Sequence, residues 1–151
     1  MRPFSLIASL LVAVGCQSKN QHIVVVEKKT PIVGPNGLTV EGLGIETLGG
    51  VFTPIINSGV LAPCSVSEVF STAADGQTRI MVTLFRGTNR LTMANHSLGR
   101  FQVVGIQILP RGVPKVEITF KITETQILLF ARDVDRKKEL QIRRAEEDLK
   151  E

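Results

Sequence analysis

Hydrophobic and polar residues alternate along two stretches of this chain. In residues 79–86 every second side chain is aliphatic, namely Ile80, Val82 and Leu84. Residues 115–122 repeat the pattern with Val116, Ile118, Phe120 and Ile122. Because successive side chains of a β-strand point to opposite faces of a sheet, a period of two predicts two strands that each bury one face. We expect both strands to contribute to one core.

Turn-forming residues punctuate the rest of the chain about every eight to twelve residues, which is typical of an all-β protein. The sequence predicts seven strands, at 51–56, 66–72, 79–86, 90–93, 99–103, 115–122 and 127–132, and a further short strand at 23–26. Pro54 cannot donate a hydrogen bond to a neighbouring strand. The strand that contains it is therefore expected at a sheet edge or interrupted.

One segment, residues 43–73, has the features of a binding cleft. Its apolar surface would come from four side chains: Ile45, Leu48, Val51 and Phe52. Gly44, Gly49 and Gly50 have no side chain and would let the backbone approach a neighbouring chain closely. Such a segment suits a site that holds another polypeptide by its main-chain groups.

This segment and the residues after it resemble the peptide-binding domain of the heat-shock 70 (DnaK-type) chaperones. The matching motifs occur in order and without insertions: Gly44-Ile45-Glu46-Thr47, Gly49-Gly50-Val51, Val69-Phe70-Ser71-Thr72-Ala73, Ser97-Leu98-Gly99, Phe101, Pro110-Arg111-Gly112-Val113-Pro114 and Glu117-Ile118-Thr119-Phe120. The resemblance covers residues 38–142 and implies a β-sandwich. At residues 123–126 the family has a glycine-rich hairpin turn that this chain lacks, so we expect that hairpin to be strained, longer, looser or differently registered.

The resemblance also implies which residues would bind a peptide. Six would line an apolar pocket: Ile45, Phe70, Ile80, Val82, Val116 and Ile118. Five more would form an arch over the peptide or offer it hydrogen bonds: Leu48, Ala73, Ser71, Gln77 and Met81. Thr47, next to Leu48, belongs to the same set. Val116 and Ile118 are equally well explained as ordinary sandwich core, because alternation does not distinguish core from pocket.

Both ends of the chain lie outside the resemblance. Residues 1–15 have a short basic start and an apolar run that is too short to span a membrane, which predicts a signal peptide. The tetrapeptide that ends at Cys16 resembles a bacterial lipobox, so Cys16 would be lipidated. The alternative is a misread gene start. Residues 16–37 are interpreted as a tether with one short strand, and Gln17 suggests sorting to the outer membrane.

The family's other parts are not expected here. Gly34-Pro35-Asn36-Gly37 stands where the family has an apolar linker from its ATPase domain, and no phosphate-binding loop motif occurs in the sequence. We therefore expect no ATP cofactor. Residues 143–151 are charged and helix-compatible, and they are interpreted as a truncated start of the family's helical lid. Asp75 and Arg111 resemble positions that latch that lid. Without a lid both would be solvated, or Arg111 would remain as part of the Pro110-Arg111-Gly112 turn.

Composition and candidate chemistry argue against other function classes. The net charge is only +4, and the cations are not interleaved with aromatic side chains as on a nucleic-acid platform. His22 and His96 have no catalytic partner in a motif, and Cys64 has no neighbouring histidine. Asp133 and Asp135 lie among cations and are better explained as an ion-paired turn than as a metal site. No enzyme is predicted.

The sequence therefore predicts a chaperone-like module that binds extended, apolar segments of unfolded polypeptides without ATP. Its partners would be unfolded polypeptides and a membrane, with no nucleic acid; a separate co-chaperone is left open. It would be lipid-anchored in a bacterial cell envelope, facing the periplasm, or cytoplasmic if the leader is no signal. The alternative functions are a structural or interaction lipoprotein that keeps the sandwich without peptide binding, and a degenerate fragment of a full chaperone.

Overall fold

The computed structural model describes residues 22–25 and 31–145, and nearly all of their regular structure is antiparallel β-sheet. The strands are β1 (His22–Val25), β2 (Gly42–Thr47), β3 (Val51–Ile56), β4 (Cys64–Phe70), β5 (Arg79–Gly87), β6 (His96–Val104), β7 (Val116–Ile122), β8 (Ile127–Asp133) and β9 (Lys138–Arg144). A single 3₁₀ turn of the described residues, Thr92–Ala94, lies between β5 and β6. The predicted all-β class is confirmed.

The strands follow the hydrogen-bonded order β3-β2-β5-β6-β9-β8-β7-β4. Strand β9 connects the two halves of this order, because its first residues pair with β8 and its last residues pair with β6. Strand β1 lies outside this order and pairs with the first half of β8, residues 127–130. The order ends at β3 and β4, so Pro54 in β3 lies on an edge strand, as predicted.

The core lies between the two halves of the sandwich. The inward faces of β5 and β7 are buried in alternation, and their side chains belong to one apolar cluster. Leu84 of β5 and Phe120 of β7 are completely buried in that cluster. The alternating pattern therefore predicted both strands and their shared core correctly, because burying one face of each strand removes its apolar side chains from water.

One predicted strand does not form. Residues 90–93 were expected to be extended, but only Leu91 makes a bridge, to Val51, and the 3₁₀ turn begins at Thr92. The side chains of Asn89 and Asn95 fold the segment back, since the Asn95 carboxamide accepts a hydrogen bond from Asn89 N–H at 3.0 Å and donates to Asn89 O at 2.8 Å. These local bonds favour a turn over a strand.

Two strands form that the sequence pattern did not predict. In β2 the glycines at 42 and 44 interrupt the apolar pattern. In β9 only Leu140 and Ile142 are buried, among charged neighbours. The expectation that a helical stub starts at residue 143 is wrong for Arg144, which ends β9. The Arg144 guanidinium donates a hydrogen bond to Leu98 O at 3.0 Å, and its Cζ lies 4.8 Å from the centre of the Phe101 ring. Residues 146–151 of that stub lie outside the described residues.

Part of the interpreted tether packs on the sandwich. Val25 of β1 and Ile32 are both buried in the core cluster, and Val33 and Leu38 make bridges to Thr39 and Leu61. The predicted signal peptide, residues 1–15, and Cys16 lie outside the described residues. No helix in the part of the chain that the structure describes is long and apolar enough to cross a membrane.

The hairpin at residues 123–126 is regular, contrary to the expected strain. Ile122 pairs directly with Ile127, and none of the four turn residues has a positive φ. The Thr123 hydroxyl replaces the missing glycine, because it accepts a hydrogen bond from Gln126 N–H at 2.9 Å and keeps the turn closed. The positive φ occurs in the next hairpin instead, at Lys137 with φ of 52°.

Candidate peptide-binding site

The β2–β3 hairpin projects an apolar side chain from its tip. Thr47 pairs with Val51, and the loop between them consists of Leu48, Gly49 and Gly50. Both glycines have positive φ, 84° and 71°, a conformation that L-residues with side chains rarely adopt. The Leu48 side chain is 99% exposed. The hairpin therefore presents a leucine to solvent on a turn that needs its two glycines.

Only one of the three predicted glycines is required by close approach. A Cβ added to Gly44 would lie 2.3 Å from Thr53 O. At Gly49 nothing lies within 4 Å, and at Gly50 the nearest atom is at 3.7 Å. Within this chain, positive φ is the reason for glycine at positions 49 and 50, and their close approach to a bound polypeptide stays a prediction.

Residues 71–78, the β4–β5 loop, are closed by the side chain of Gln77. Its carbonyl oxygen accepts hydrogen bonds from Ala73 N–H at 2.9 Å and Ala74 N–H at 3.2 Å. Its amide nitrogen donates to Arg79 O at 2.7 Å. Gln77 was predicted to bond a peptide directly, but in this structure its carboxamide bonds within its own loop and shapes it.

The same loop is tied to residues 106–114, the β6–β7 loop, at several points. The Ser71 hydroxyl donates to Pro114 O at 2.6 Å. Gly76 N–H donates to Leu109 O at 2.9 Å, and Arg111 N–H donates to the Asp75 carboxylate at 2.9 Å. Since these hydrogen bonds at Ser71, Asp75 and Gly76 limit its movement, the β4–β5 loop is a well-supported wall.

Between the hairpin and this loop, strand β5 has an open edge. Strand β6 pairs with β5 along residues 79–86, but β2 pairs with β5 only from Leu84 to Gly87. Continuing the β2 register would bring Glu46 beside Thr83, and that pair does not form. Residues 79–83 therefore have a strand neighbour on one side only among the described strands. Unpaired main-chain groups at such an edge can accept another strand.

The six residues predicted to line an apolar pocket all belong to the core cluster or pack against it. Ile80 is 7% exposed, and Ile45 and Val82 are similar. Val116 and Ile118 are buried more completely, at 0% and 1%. Phe70 is half-buried at the end of β4, where it pairs with Val116. The structure brings the six together, and their role in binding a peptide stays a prediction.

The other predicted site residues are polar or exposed. Thr47 bonds through its hydroxyl with Thr53, with 2.8 Å between the two oxygens. Ala73 is exposed on the β4–β5 loop. Met81 is exposed on the outer face of β5, opposite to the face that carries Ile80. The resemblance implies that Met81 offers its main chain to a peptide, and this role stays a prediction.

The other candidate chemistry lies away from this cleft. Asp133 is ion-paired with Arg136, whose Nε lies 2.7 Å from the carboxylate, as expected for an ion-paired turn. Burial raises the pKa of the half-buried Cys64 thiol. The residues that the structure describes contain no cluster of three His, Cys, Asp or Glu side chains that could hold a metal ion.

A surface cavity of about 310 Å³ lies at the far ends of β2 and β5 from the Leu48 tip. It is lined by Gly42, Phe52, Pro54, Asn57, Ser58 and residues 87–90. Phe52, which was expected to supply apolar surface to the cleft, lines this cavity instead. None of the twelve residues predicted to bind a peptide does, so the cavity is distinct from the cleft.

Two threonines that support the cleft were not predicted as site residues. Thr72 is buried, and its main-chain oxygen accepts from Gly112 N–H at 3.0 Å. Thr92 is buried against the β2–β3 hairpin, and its hydroxyl donates to Gly50 O at 3.0 Å. A threonine in a polar segment has no periodicity that would identify it, so only the tertiary contacts reveal these roles.

Comparisons with known proteins agree with this architecture. A family model described as "Hsp70 protein" matches residues 14–151. Heat shock protein hsp-6 of Caenorhabditis elegans is 47% identical over 106 residues, which are 70% of this chain and 16% of that protein. Chaperone protein DnaK of Methanothermobacter thermautotrophicus is 48% identical over 103 residues, 68% of this chain and 17% of that protein. The chain thus spans about a sixth of the length of these relatives.

Proposed function

Because the chain belongs to the Hsp70 family, we propose that it binds extended, apolar segments of unfolded polypeptides in a chaperone-like role. Its relatives include proteins named as chaperones, and they are much longer than this chain. The proposal therefore concerns the binding step alone, and it must be supported by the geometry of the described residues.

The open edge of β5 is the observation that carries the proposal. An unfolded segment has unpaired N–H and C=O groups along its backbone, and residues 80–83 offer such groups on the side that β2 leaves free. Arg79 O already accepts a hydrogen bond from Gln77. A segment that added itself to this edge would form main-chain hydrogen bonds that do not depend on its sequence. This mode of binding suits a protein that must accept many different polypeptides.

Apolar groups lie on both sides of that edge. Leu48 is exposed above it on the hairpin, and Ile80 and Ile45 are directed toward the core beside it. A peptide side chain placed there would leave water and contact aliphatic carbon. Binding would therefore favour segments with an aliphatic side chain.

The supported β4–β5 loop adds preorganisation. The bonds of Gln77, Ser71 and Asp75 hold this wall in one conformation before a peptide arrives. Ordering a loop on binding would reduce the affinity, and a loop already ordered avoids that loss. The structure thus supports a cleft with one fixed wall and one projecting hairpin.

Truncation of Leu48 tests the proposal. Leu48→Ala should weaken the binding of a fluorescein-labelled, leucine-rich heptapeptide by about tenfold, because one leucine would no longer be buried against the peptide. Leu61→Ala is the matched control, since Leu61 is 65% exposed, forms a bridge with Leu38 rather than lying at the hairpin tip, and undergoes the same truncation. Fluorescence anisotropy would give both dissociation constants.

The two variants should fold as well as the wild type, which circular dichroism can verify. Equal affinities of the Leu48 and Leu61 variants would remove the hairpin tip from the site. An absence of binding by the wild type across a panel of peptides would overturn the proposed function.

One observation favours a second candidate, a structural or interaction protein that keeps the sandwich without peptide binding. Val116 and Ile118 are completely buried, as expected if the interior is filled. An environment-sensitive apolar dye distinguishes the two, because a cleft that accepts side chains should bind the dye and lose it when a peptide is added. A dye signal that peptides do not change would support this candidate.

Independence from ATP and attachment to a membrane are further parts of the proposal. Both come from the sequence, and Cys16 lies outside the described residues. Calorimetry with ATP should show no heat of binding, and peptide release should be the same with and without ATP.

Cys16→Ser should abolish labelling with a fatty acid and release the protein from the envelope fraction. A wild type that is never labelled would refute the proposed lipid anchor.

A further inference from the structure

Residues 90–92 form no regular strand, but they pack alongside the β2–β3 hairpin. Phe52 N–H donates to Arg90 O at 2.8 Å, and Val51 forms a bridge with Leu91. Thr92 N–H donates to Gly50 O at 2.9 Å. We call residues 90–92 the brace, because they support the hairpin on the edge of β3 that has no other strand beside it in the order of strands.

The last contact of the brace involves two donors on one carbonyl. Besides the amide of Thr92, the Thr92 hydroxyl donates to Gly50 O at 3.0 Å. The Thr92 side chain is buried, so water competes little for this bond. The peptide groups of Gly50 have an orientation fixed by its φ of 71°, and the hydroxyl holds the carbonyl in that orientation.

Beyond Gly50 the hairpin has little other support among the described residues. A Cβ added to Gly49 would meet no atom within 4 Å, and the Leu48 side chain projects into solvent. The position of Leu48 therefore depends on how firmly Gly50 is held. The Thr47 hydroxyl bonds only to Val51 O and Thr53 within the hairpin, whereas Thr92 supplies a side-chain hydrogen bond from outside it.

We propose that Thr92 is a positioning residue that sets how long a bound peptide stays beneath Leu48. The inference rests on the proposed peptide binding and adds its kinetic control. When the hydroxyl bond is present, the hairpin tip stays over the cleft and a peptide leaves slowly. When the bond is absent, the tip opens more often and the peptide leaves faster, with little change in its rate of arrival.

Thr92→Val tests this with minimal change of shape, because it removes the hydroxyl and keeps the β-branched volume. Gly50 O retains the Thr92 amide donor, so no buried carbonyl loses its only partner. The dissociation rate of the labelled heptapeptide, measured by stopped-flow competition, should rise about two- to tenfold, the range expected for one neutral hydrogen bond. Thr92→Ser keeps a hydroxyl, so its peptide dissociation rate should equal that of the wild type.

Thr39→Val is the matched control. Thr39 is also buried, and its hydroxyl donates to Asn57 O at 2.8 Å and accepts from Val60 N–H at 3.0 Å, near the ends of β2 and β3 away from the tip. The same substitution should therefore lower stability without changing peptide dissociation. If the rate rises equally in both variants, Thr92 acts only through general stability and the inference fails.

Amide hydrogen exchange separates this inference from the proposed function. Thr92→Val should accelerate exchange at Val51 and Phe52 and leave β7 and β8 unchanged. Faster hairpin exchange with an unchanged peptide off-rate would show that the brace works but does not control binding, which overturns the inference alone. If the wild type binds no peptide at all, the proposed function fails and the kinetic role of Thr92 with it.

Discussion

The carboxylate of Asp75 accepts a hydrogen bond from the backbone N–H of Arg111 at 2.9 Å. Both residues were expected to be solvated in the absence of a lid, and both are exposed. In addition they join the β4–β5 loop to the β6–β7 loop, next to the bond from Gly76 N–H to Leu109 O. Asp75 thus helps to hold one wall of the cleft.

Asp75→Ala should lower the free energy of unfolding by about 0.5–1.5 kcal/mol, the usual range for one hydrogen bond. Asp75→Asn should be close to wild type, since its carboxamide oxygen can still accept from Arg111. Asp135→Ala, at an exposed turn position, is the control and should be nearly neutral. Urea denaturation measures all three. An alanine variant as stable as wild type would show that the bond contributes nothing.

The second prediction concerns the two different reasons for glycine in the hairpin. Gly44→Ala should destabilise the protein by roughly 3 kcal/mol or more, because its Cβ would meet Thr53 O at 2.3 Å and Phe52 Cε2 at 2.8 Å. Gly49→Ala meets no atom and only has to adopt a φ of +84°, which costs about 1–2 kcal/mol. Urea denaturation would rank them, and the reverse order would contradict the close approach at Gly44.

The strands that the sequence predicted are those whose burial alternates without interruption. Strand β7 is the best example, with every second residue from Val116 to Ile122 buried. Strand β2 was missed because Gly44 occupies a position where the backbone of β3 leaves no room for a side chain. Strand β9 was missed because only Leu140 and Ile142 face the core, and pairing with β6 and β8 makes it a strand.

For the candidate site, the sequence indicated the segments but not the depth of each side chain. Ile80 and Ile118 both occupy inward positions of alternating strands, and the pattern treats them alike. Their burial differs because Ile80 lies near the start of β5, beside the edge that β2 leaves open, whereas Ile118 lies in the middle of β7 between β4 and β8. Such a difference depends on neighbouring strands and has no local sequence signal.

The third prediction concerns acid stability at the β8–β9 turn. Burial alone would raise the pKa of Asp133, but hydrogen bonds from Arg136 N–H at 2.9 Å and Arg136 Nε at 2.7 Å, together with its charge, outweigh burial and leave that pKa below the ordinary value of 3.8. Because the pKa of Asp133 is lower in the folded than in the unfolded state, its ionised form stabilises the protein at pH values above the unfolded-state pKa. This stabilisation is lost as the pH falls through the folded-state pKa.

Asp133→Asn should therefore lower the free energy of unfolding by about 1–2 kcal/mol near neutral pH, where two charge-assisted hydrogen bonds are weakened. The difference in free energy of unfolding between this variant and wild type should shrink once the pH falls below about 4. Urea titrations at several pH values would measure this difference, with Asp135→Asn as a control for which it should stay small at every pH. A difference that persists in strong acid would mean that the Asp133 charge does not contribute.

The last prediction uses two isoleucines to separate pocket from core. Ile80→Val and Ile118→Val remove the same methylene from inward positions of β5 and β7, and each should lower stability by about 0.5–1.5 kcal/mol while the protein stays folded.

Ile80 is 7% exposed beside the open edge, and Ile118 is 1% exposed. A bound peptide can therefore contact Ile80 but has no access to Ile118. One methylene buried against the peptide is worth about 0.8 kcal/mol, so Ile80→Val should weaken peptide binding about fourfold and Ile118→Val should leave it unchanged. Anisotropy titrations with the labelled heptapeptide resolve a difference of about fourfold, and denaturation curves establish that the two stability losses match. Equal losses of affinity in both variants would place Ile118 in the pocket after all, and no loss in either would assign Ile80 to the core.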